Sequence, residues 1–125
     1  MPRGPRGSIA VSADGGRVAV VSAIRITIVD AATGEKRHTL ERPGLEGVFH
    51  AVAFGPDGRL LISGIGGTTG GVQVWDAATG ELRREFSTGL GGVTRVAVFP
   101  GGSRAASAGT DDAVTVWDLT APPER

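Results

Sequence analysis

The amino-acid sequence predicts an all-β fold in which one four-stranded unit occurs three times. Over short runs the apolar residues alternate with period two rather than with the 3.6-residue period of a helix. A six-residue segment also recurs letter for letter, at Asp30–Glu35 and at Asp76–Glu81. The alternating run before this segment has a third copy at residues 114–118. Gly or Pro interrupts every longer window, which argues against a helix anywhere in the chain.

Each unit begins with two strands joined by a tight turn. Asp14-Gly15 and Asp57-Gly58 lie between apolar runs, and glycine supplies the positive φ that such a hairpin turn requires. The strands after these turns, at residues 18–21 and 60–62, are almost entirely apolar. Strands of this composition favour a sheet that is covered on both faces.

The third strand of each unit ends at an aspartate. These strands are residues 26–29, 72–75 and 114–117. An Ala-Thr-Gly segment after Asp30 and after Asp76 predicts a second turn. More polar strands follow at residues 36–40 and 81–86, as expected for the exposed outer edge of a sheet. After Asp118 the chain runs into Pro122 and Pro123, so the third unit is predicted to lack its outer strand.

The spacing of the units narrows the fold class. The aspartates at 30, 76 and 118 are 46 and 42 residues apart, and periods in the low forties with several short strands are typical of propeller blades. The segments Val-Gln-Val-Trp-Asp-Ala-Ala-Thr-Gly-Glu (72–81) and Val-Thr-Val-Trp-Asp (114–118) resemble the WD-repeat β-propeller family. The resemblance covers residues 8–120 and implies four-stranded antiparallel blades with the first strand innermost. Val29 departs from it, because the family has Trp at this position.

The resemblance also implies a structural side-chain network of Trp, Ser or Thr, Asp and His in each blade. On this sequence its members are Trp75 and Ser63 in the second blade, and Trp117, Ser107 and Asp111 in the third. Leu45 and Leu90 stand at the histidine positions, so we expect plain packing there and an incomplete polar chain. These residues are expected to stabilise the fold and not to catalyse a reaction.

Three blades are too few for a closed ring, which needs at least four. The predicted organisation is a flexible arm at 1–7, blades at about 8–49, 50–92 and 93–120, and a Pro-rich tail at 121–125. The sequence therefore predicts a partial β-propeller, an open arc with an apolar face exposed at each end. Such an arc is completed by further sequence of a longer propeller, by a second copy in a six-bladed homodimer, or by a different protein.

Composition excludes several classes of function. The 13 basic and 13 acidic residues give no net charge, which argues against a nucleic-acid partner. The absence of cysteine excludes a thiolate zinc site and a cysteine nucleophile. No stretch of 18 apolar residues predicts a membrane span, and no apolar segment of signal-peptide length follows the N-terminus. The predicted location is cytoplasmic.

No segment predicts a catalytic, cofactor or metal site. The glycine-rich run at 64–71 is followed by a strand and has no lysine, which a phosphate-binding loop requires. His38 and His50 have no triad or metal partner at a recognisable spacing. Asp111-Asp112 is interpreted as a solvated turn.

The predicted function is therefore that of a non-enzymatic scaffold or protein-interaction module, one that self-assembles into a ring or binds another protein. By analogy with the family, the candidate partner surface lies on the loops that enter each blade, at Phe49, His50 and Arg95. The alternative is a regulatory or sensor propeller segment of a larger multidomain enzyme, such as a kinase, protease or nucleotidase.

Overall fold

The computed structural model describes residues 9–22, 24–41, 48–66, 71–87, 92–109 and 114–120, and the secondary structure of these residues is entirely β-strand and turn. The strands are β1 (Ile9–Val11), β2 (Arg17–Ser22), β3 (Arg25–Asp30), β4 (Lys36–Glu41), β5 (Phe49–Phe54), β6 (Leu60–Ile65), β7 (Gly71–Asp76), β8 (Leu82–Ser87), β9 (Val93–Val98), β10 (Arg104–Gly109) and β11 (Val114–Asp118). No helix long and apolar enough to cross a membrane occurs among these described residues. The predicted arm at 1–7 and the tail at 121–125 lie outside the described residues.

The strands form three antiparallel sheets, each a meander in chain order. Blade one is β1-β2-β3-β4, blade two is β5-β6-β7-β8, and blade three, in its described part, is β9-β10-β11. The predicted all-β, partial-propeller fold is confirmed, with two outer strands, β4 and β8, where the sequence predicted them. The three sheets do not close into a ring.

The repeated sequence folds into repeated turns. Gly15 and Gly58 have φ of 73° and 74°, a region that side-chain-bearing residues rarely adopt, so these two tight turns require glycine. In the second type of turn, Asp30 Oδ1 accepts hydrogen bonds from the backbone N–H groups of Ala32 and Thr33, at 2.9 and 3.2 Å. Asp76 makes the same two contacts with the residues that follow it. The identical segments of blades one and two therefore form turns with the same hydrogen bonds.

Blade two is covered on both faces, because alternate residues of its strands point to opposite sides. On β6, Leu61 packs into a core shared with blade one, whereas Ile62 packs into a core shared with blade three. On β7, Trp75 joins the first core and Val74 joins the second. The two cores lie between the blades, as a propeller requires.

Strand registers define equivalent positions in the three blades. Arg17, Leu60 and Arg104 each start the second strand and lie opposite the aspartate that ends the third, Asp30, Asp76 and Asp118 in turn. Three residues further on, Val20, Ser63 and Ser107 are equivalent by the same pairing. These equivalences show which residues occupy, at one blade junction, the positions that make a given contact at another junction.

Candidate interaction surfaces

Blade two contains a buried chain of polar side chains that starts at Trp75. The indole Nε1–H of Trp75 donates a hydrogen bond to Ser63 Oγ at 2.9 Å, and Ser63 Oγ–H donates to Gln73 Oε1 at 2.7 Å. The amide Nε2 of Gln73 then donates to Glu85 Oε2 at 3.0 Å on the outer strand. Ser63 and Gln73 are fully buried. These hydrogen-bonded side chains thus connect the centre of the blade to its solvent-exposed edge.

Gln73 was not predicted as a member of this network. It accepts the hydrogen bond of the Ser63 hydroxyl. Blade two was expected to contain neither the aspartate nor the histidine of the network that the resemblance implies. A signal was present in the sequence, since Gln73 is the one polar residue within the apolar run 72–75. A buried amide in such a run needs partners for both of its polar atoms, and Ser63 and Glu85 provide them.

The network shortens in the other two blades. In blade three, Trp117 Nε1–H donates to Ser107 Oγ at 2.9 Å, and Thr115 occupies the position of Gln73. The predicted third member, Asp111, lies outside the described residues. In blade one the three equivalent positions hold Val20, Thr27 and Val29.

Replacing Gln73 by leucine is expected to lower the free energy of unfolding by about 1 to 3 kcal/mol. Leucine has a similar volume but leaves the buried Ser63 hydroxyl without its acceptor. Adding Ser63→Ala to Gln73→Leu would instead orphan the Trp75 N–H, so the double variant is not expected to recover stability. Urea unfolding of the two single variants and the double variant gives the coupling energy. A coupling energy near zero would contradict a shared network.

Arg17 joins blade one to blade two. Its Nη2 donates to the carbonyl oxygen of Gly58 at 2.8 Å, and its Nη1 makes a longer contact of 3.5 Å with the carbonyl of Ala77. The guanidinium carbon also lies 5.8 Å from the centroid of the Phe54 ring. This set of contacts is called the Arg17 clip below. A planar guanidinium with several donors suits two carbonyl oxygens that lie side by side.

His38 makes a second polar contact across the same junction. Its Nε2 lies 2.7 Å from the carbonyl oxygen of Ala78, in the turn between β7 and β8. Because a carbonyl has no proton to give, Nε2 carries the hydrogen and donates it. The outer strand of blade one is therefore attached to the second turn of blade two, which accounts for a half-buried histidine on a strand whose other polar residues are exposed.

The junction of blades two and three lacks an arginine clip, because Leu60 stands at the Arg17 position. A solvent-open groove of about 520 Å³ lies at this junction. Its charged lining residues are Asp57, Arg59, Asp76 and Arg83, and Gly102 of blade three also lines it. The clip thus depends on particular residues and is not repeated at every junction.

The three residues predicted as a partner surface do not come together. Phe49 is 3% exposed and packs edge-on against Trp75, with ring centroids 6.2 Å apart. His50 is half-buried against Gly66, where an added Cβ would lie 2.5 Å from the imidazole ring. Arg95 is exposed and pairs with Ala108 in blade three. Phe49 is a core side chain, and only Arg95 lies on an open surface.

Five of the exposed large apolar residues that the structure describes lie at the two ends of the arc, whereas Ile24, Val48 and Leu82 are exposed elsewhere. The open face of blade one consists of Ile9, Val11, Val18, Val20 and Val29, which point away from blade two. Ile9 and Val11 are 66% and 59% exposed. The open face of blade three consists of Arg95, Ala97, Ala106, Ala108, Val114 and Val116. Its two valines are 70% and 51% exposed. Contiguous apolar patches of this kind mark interaction sites.

Titratable side chains form no site that could hold a metal within the described ranges, where no group of three His, Cys, Asp or Glu residues converges. An ion pair lies in the second turn of blade two, in which Arg83 Nη2 is 2.8 Å from Asp76 Oδ2. The hydrogen bond from Arg83, helped by the backbone N–H of Thr79, lowers the pKa of Asp76 from 3.8 to about 2. Arg83 is exposed and Asp76 is half-buried, and the pair stabilises a turn.

Removing the Arg83 guanidinium is expected to raise the pKa of Asp76 towards 3.8. Because the folded pKa is depressed, ionised Asp76 stabilises the fold above about pH 4, and this contribution is lost as the pH falls towards 2. The Arg83→Ala variant should therefore show a weaker loss of stability over that window. A carboxyl NMR titration measures the pKa directly, with Arg59→Ala as the control. An unchanged pKa in Arg83→Ala would refute the assigned cause.

Comparison with known proteins identifies the family. The family profile described as "WD domain, G-beta repeat" matches residues 34–76 and 80–118, which together exceed half of the chain. This chain belongs to the WD-repeat family. Each matched segment begins at or just before the outer strand of one blade and ends at the third strand of the next. The sequence repeat is therefore offset by one strand from the structural blade.

Two relatives are similar to the WD-repeat chain over most of its length. An uncharacterised WD repeat-containing protein, sll1491, from Synechocystis is 31% identical over 96 residues, which cover 77% of this chain. Protein groucho from Drosophila melanogaster is 30% identical over 106 residues, which cover 83% of this chain. The chain spans only 27% and 14% of the length of these two proteins. WD repeats indicate a domain of the protein-interaction and scaffold type.

Proposed function

We propose that this chain is a non-enzymatic protein-interaction module and that the partner at its open faces is a second copy of itself. Two copies form a six-bladed ring in which blade one of each packs on blade three of the other, closed by two-fold symmetry. The observation that carries the proposal is the exposure of Val114 and Val116, 70% and 51%, on a strand whose equivalent in blade two is buried. A cytoplasmic location stays a prediction.

The proposed contact continues the interfaces that already join the blades. Val72 and Val74 of β7 occupy the positions of Val114 and Val116, and both are buried against blade three. The exposed valines of blade three therefore have the placement and chemistry of residues that another blade covers. Repeat units that contact only their neighbours accept any further unit with a matching face.

The two open faces are also matched in side-chain size. Blade three offers small residues on its inner strands, Ala97, Ala106 and Ala108, whereas blade one offers the larger Ile9 and Val11. Pairing large with small residues allows two sheets to interdigitate at native packing density. The two open faces differ from each other. Blade one of one copy therefore packs on blade three of the other, and the contacts run head-to-tail around the ring.

The native mass of the chain tests this proposal. Light scattering or native mass spectrometry at micromolar concentration is expected to give twice the chain mass of 12.7 kDa. Dilution should shift the equilibrium towards the monomer in a concentration-dependent way. A folded monomer at every concentration would overturn self-assembly, and larger open polymers would overturn ring closure at two copies.

A further inference from the structure

The two ends of the arc carry complementary halves of the Arg17 clip. At the first junction Arg17 of blade one reaches two backbone carbonyls of blade two, those of Gly58 and Ala77. In blade three the equivalent residue is again an arginine, Arg104, on the same face as Ala106 and Ala108. Within the part of the chain that the structure describes, no blade covers this face, and the Arg104 side chain is exposed. The donor half of a clip therefore lies on the open face of blade three.

The acceptor half lies on blade one. Gly15 is equivalent to Gly58, since each donates its N–H to the carbonyl three residues earlier in the same turn. Ala31 is equivalent to Ala77, because the N–H of each donates a hydrogen bond to the carbonyl oxygen of the residue that follows the turn glycine. That residue is Gly16 in blade one and Arg59 in blade two. Gly58 and Ala77 are buried beneath blade one, whereas Gly15 and Ala31 are exposed. The uncovered acceptors are those that a preceding blade would cover.

We infer that Arg104 of one copy forms this clip with the carbonyl oxygens of Gly15 and Ala31 in a second copy. The clip presupposes the six-bladed ring of the proposed function and specifies which residues set its register. Two-fold symmetry places one such clip at each of the two junctions between copies. Val11 stands where Phe54 contacts Arg17, so the guanidinium stem lies over an aliphatic side chain at the new junction.

In the isolated chain the Arg104 guanidinium carbon lies 4.8 Å above the centroid of the Phe99 ring. A cation–π contact at an exposed site is weak. The clip at the first junction supplies a charge-assisted hydrogen bond of 2.8 Å and a longer contact of 3.5 Å to carbonyl oxygens, which together are stronger. Transfer of the guanidinium from Phe99 to the second copy is therefore favourable. The contact with Phe99 holds the Arg104 side chain beside the open face, close to the position that the carbonyl oxygens of the second copy would occupy.

Replacing Arg104 by alanine tests the clip by its effect on the dimer dissociation constant. Loss of one clip is expected to weaken association about tenfold, and a symmetric ring loses two, so the constant should rise about 100-fold. Arg104→Lys retains the charge but not the planar fork and should give an intermediate value. Arg59→Ala, which removes an equal charge from the turn of blade two, is the matched control. Arg17→Ala should lower the stability of the monomer without changing dimer affinity.

A second measurement reports the proximity of the two halves of the clip, at a protein concentration high enough to keep the cysteine variants associated. The chain has no cysteine, so Arg104→Cys with Ala31→Cys places one thiol at each half of the clip. A short bifunctional maleimide is expected to yield covalent dimer from the double variant and none from either single variant. A dimeric wild type with normal affinity in Arg104→Ala and no cross-link would overturn the clip alone. A monomeric wild type would overturn the ring and the clip together.

Discussion

Replacing Trp75 by alanine is expected to lower the free energy of unfolding by about 3 to 5 kcal/mol. The indole is 2% exposed, packs against Phe49 in the core between blades one and two, and donates to Ser63. Its removal leaves a cavity and a buried serine hydroxyl that has lost a donor. A domain of this size is stable by only about 5 to 15 kcal/mol, so the variant should be largely unfolded at moderate urea. Urea unfolding at one fixed protein concentration measures the loss.

Trp117→Ala is the matched control, because Trp117 occupies the same register position and has the same type of serine partner. This indole is only half-buried and stacks on Phe86 at 5.2 Å. Its loss should therefore cost at least about 1 kcal/mol less than the loss of Trp75. Equal costs for the two tryptophans would show that the deeper burial of Trp75 does not contribute to the difference.

The parts of the fold that follow from local chemistry could be predicted from the sequence. Asp14-Gly15 and Asp57-Gly58 specify tight turns through the φ of glycine and the side-chain oxygen of aspartate, and both turns form as predicted. The identical segments at Asp30 and Asp76 also give identical turns. Neither feature requires knowledge of a neighbouring blade.

The parts that depend on contact between blades could not be predicted in the same way. The role of Arg17 depends on where the carbonyls of Gly58 and Ala77 lie in the next blade, and an arginine after a turn gives no sign of this in the sequence. Phe49 was placed on a candidate partner surface because it follows a loop. The pleat of β5 turns it inwards, onto Trp75. A shift of one residue along a strand exchanges core for surface.

Gln73 lies between these two cases. Its burial follows from the apolar run that contains it, but its partners do not, because Ser63 and Glu85 are brought beside it only by strand pairing. With the register known, one can read the network directly from the sequence. The missing information was thus the alignment of adjacent strands, and not the propensity of any residue.

Replacing Val116 by glutamate is expected to convert the dimer into a folded monomer. Val116 is 51% exposed in the single chain, so a carboxylate there remains hydrated and the blade should keep its stability. In the proposed ring the same position is buried against blade one of the second copy, where an unpaired charge is strongly unfavourable. Native mass spectrometry should give 12.7 kDa for the variant at concentrations where the wild type is dimeric.

The neighbouring residue supplies a stringent control. Thr115 is exposed but lies on the opposite face of β11 from Val116, on the side of Trp117. Thr115→Glu therefore adds the same charge to the same strand and should leave the dimer intact. Val20→Glu places a carboxylate on the open face of blade one, which is the other side of the same junction, and should also give a monomer. If both valine variants stay dimeric, or if Thr115→Glu dissociates equally, association does not occur through the open faces.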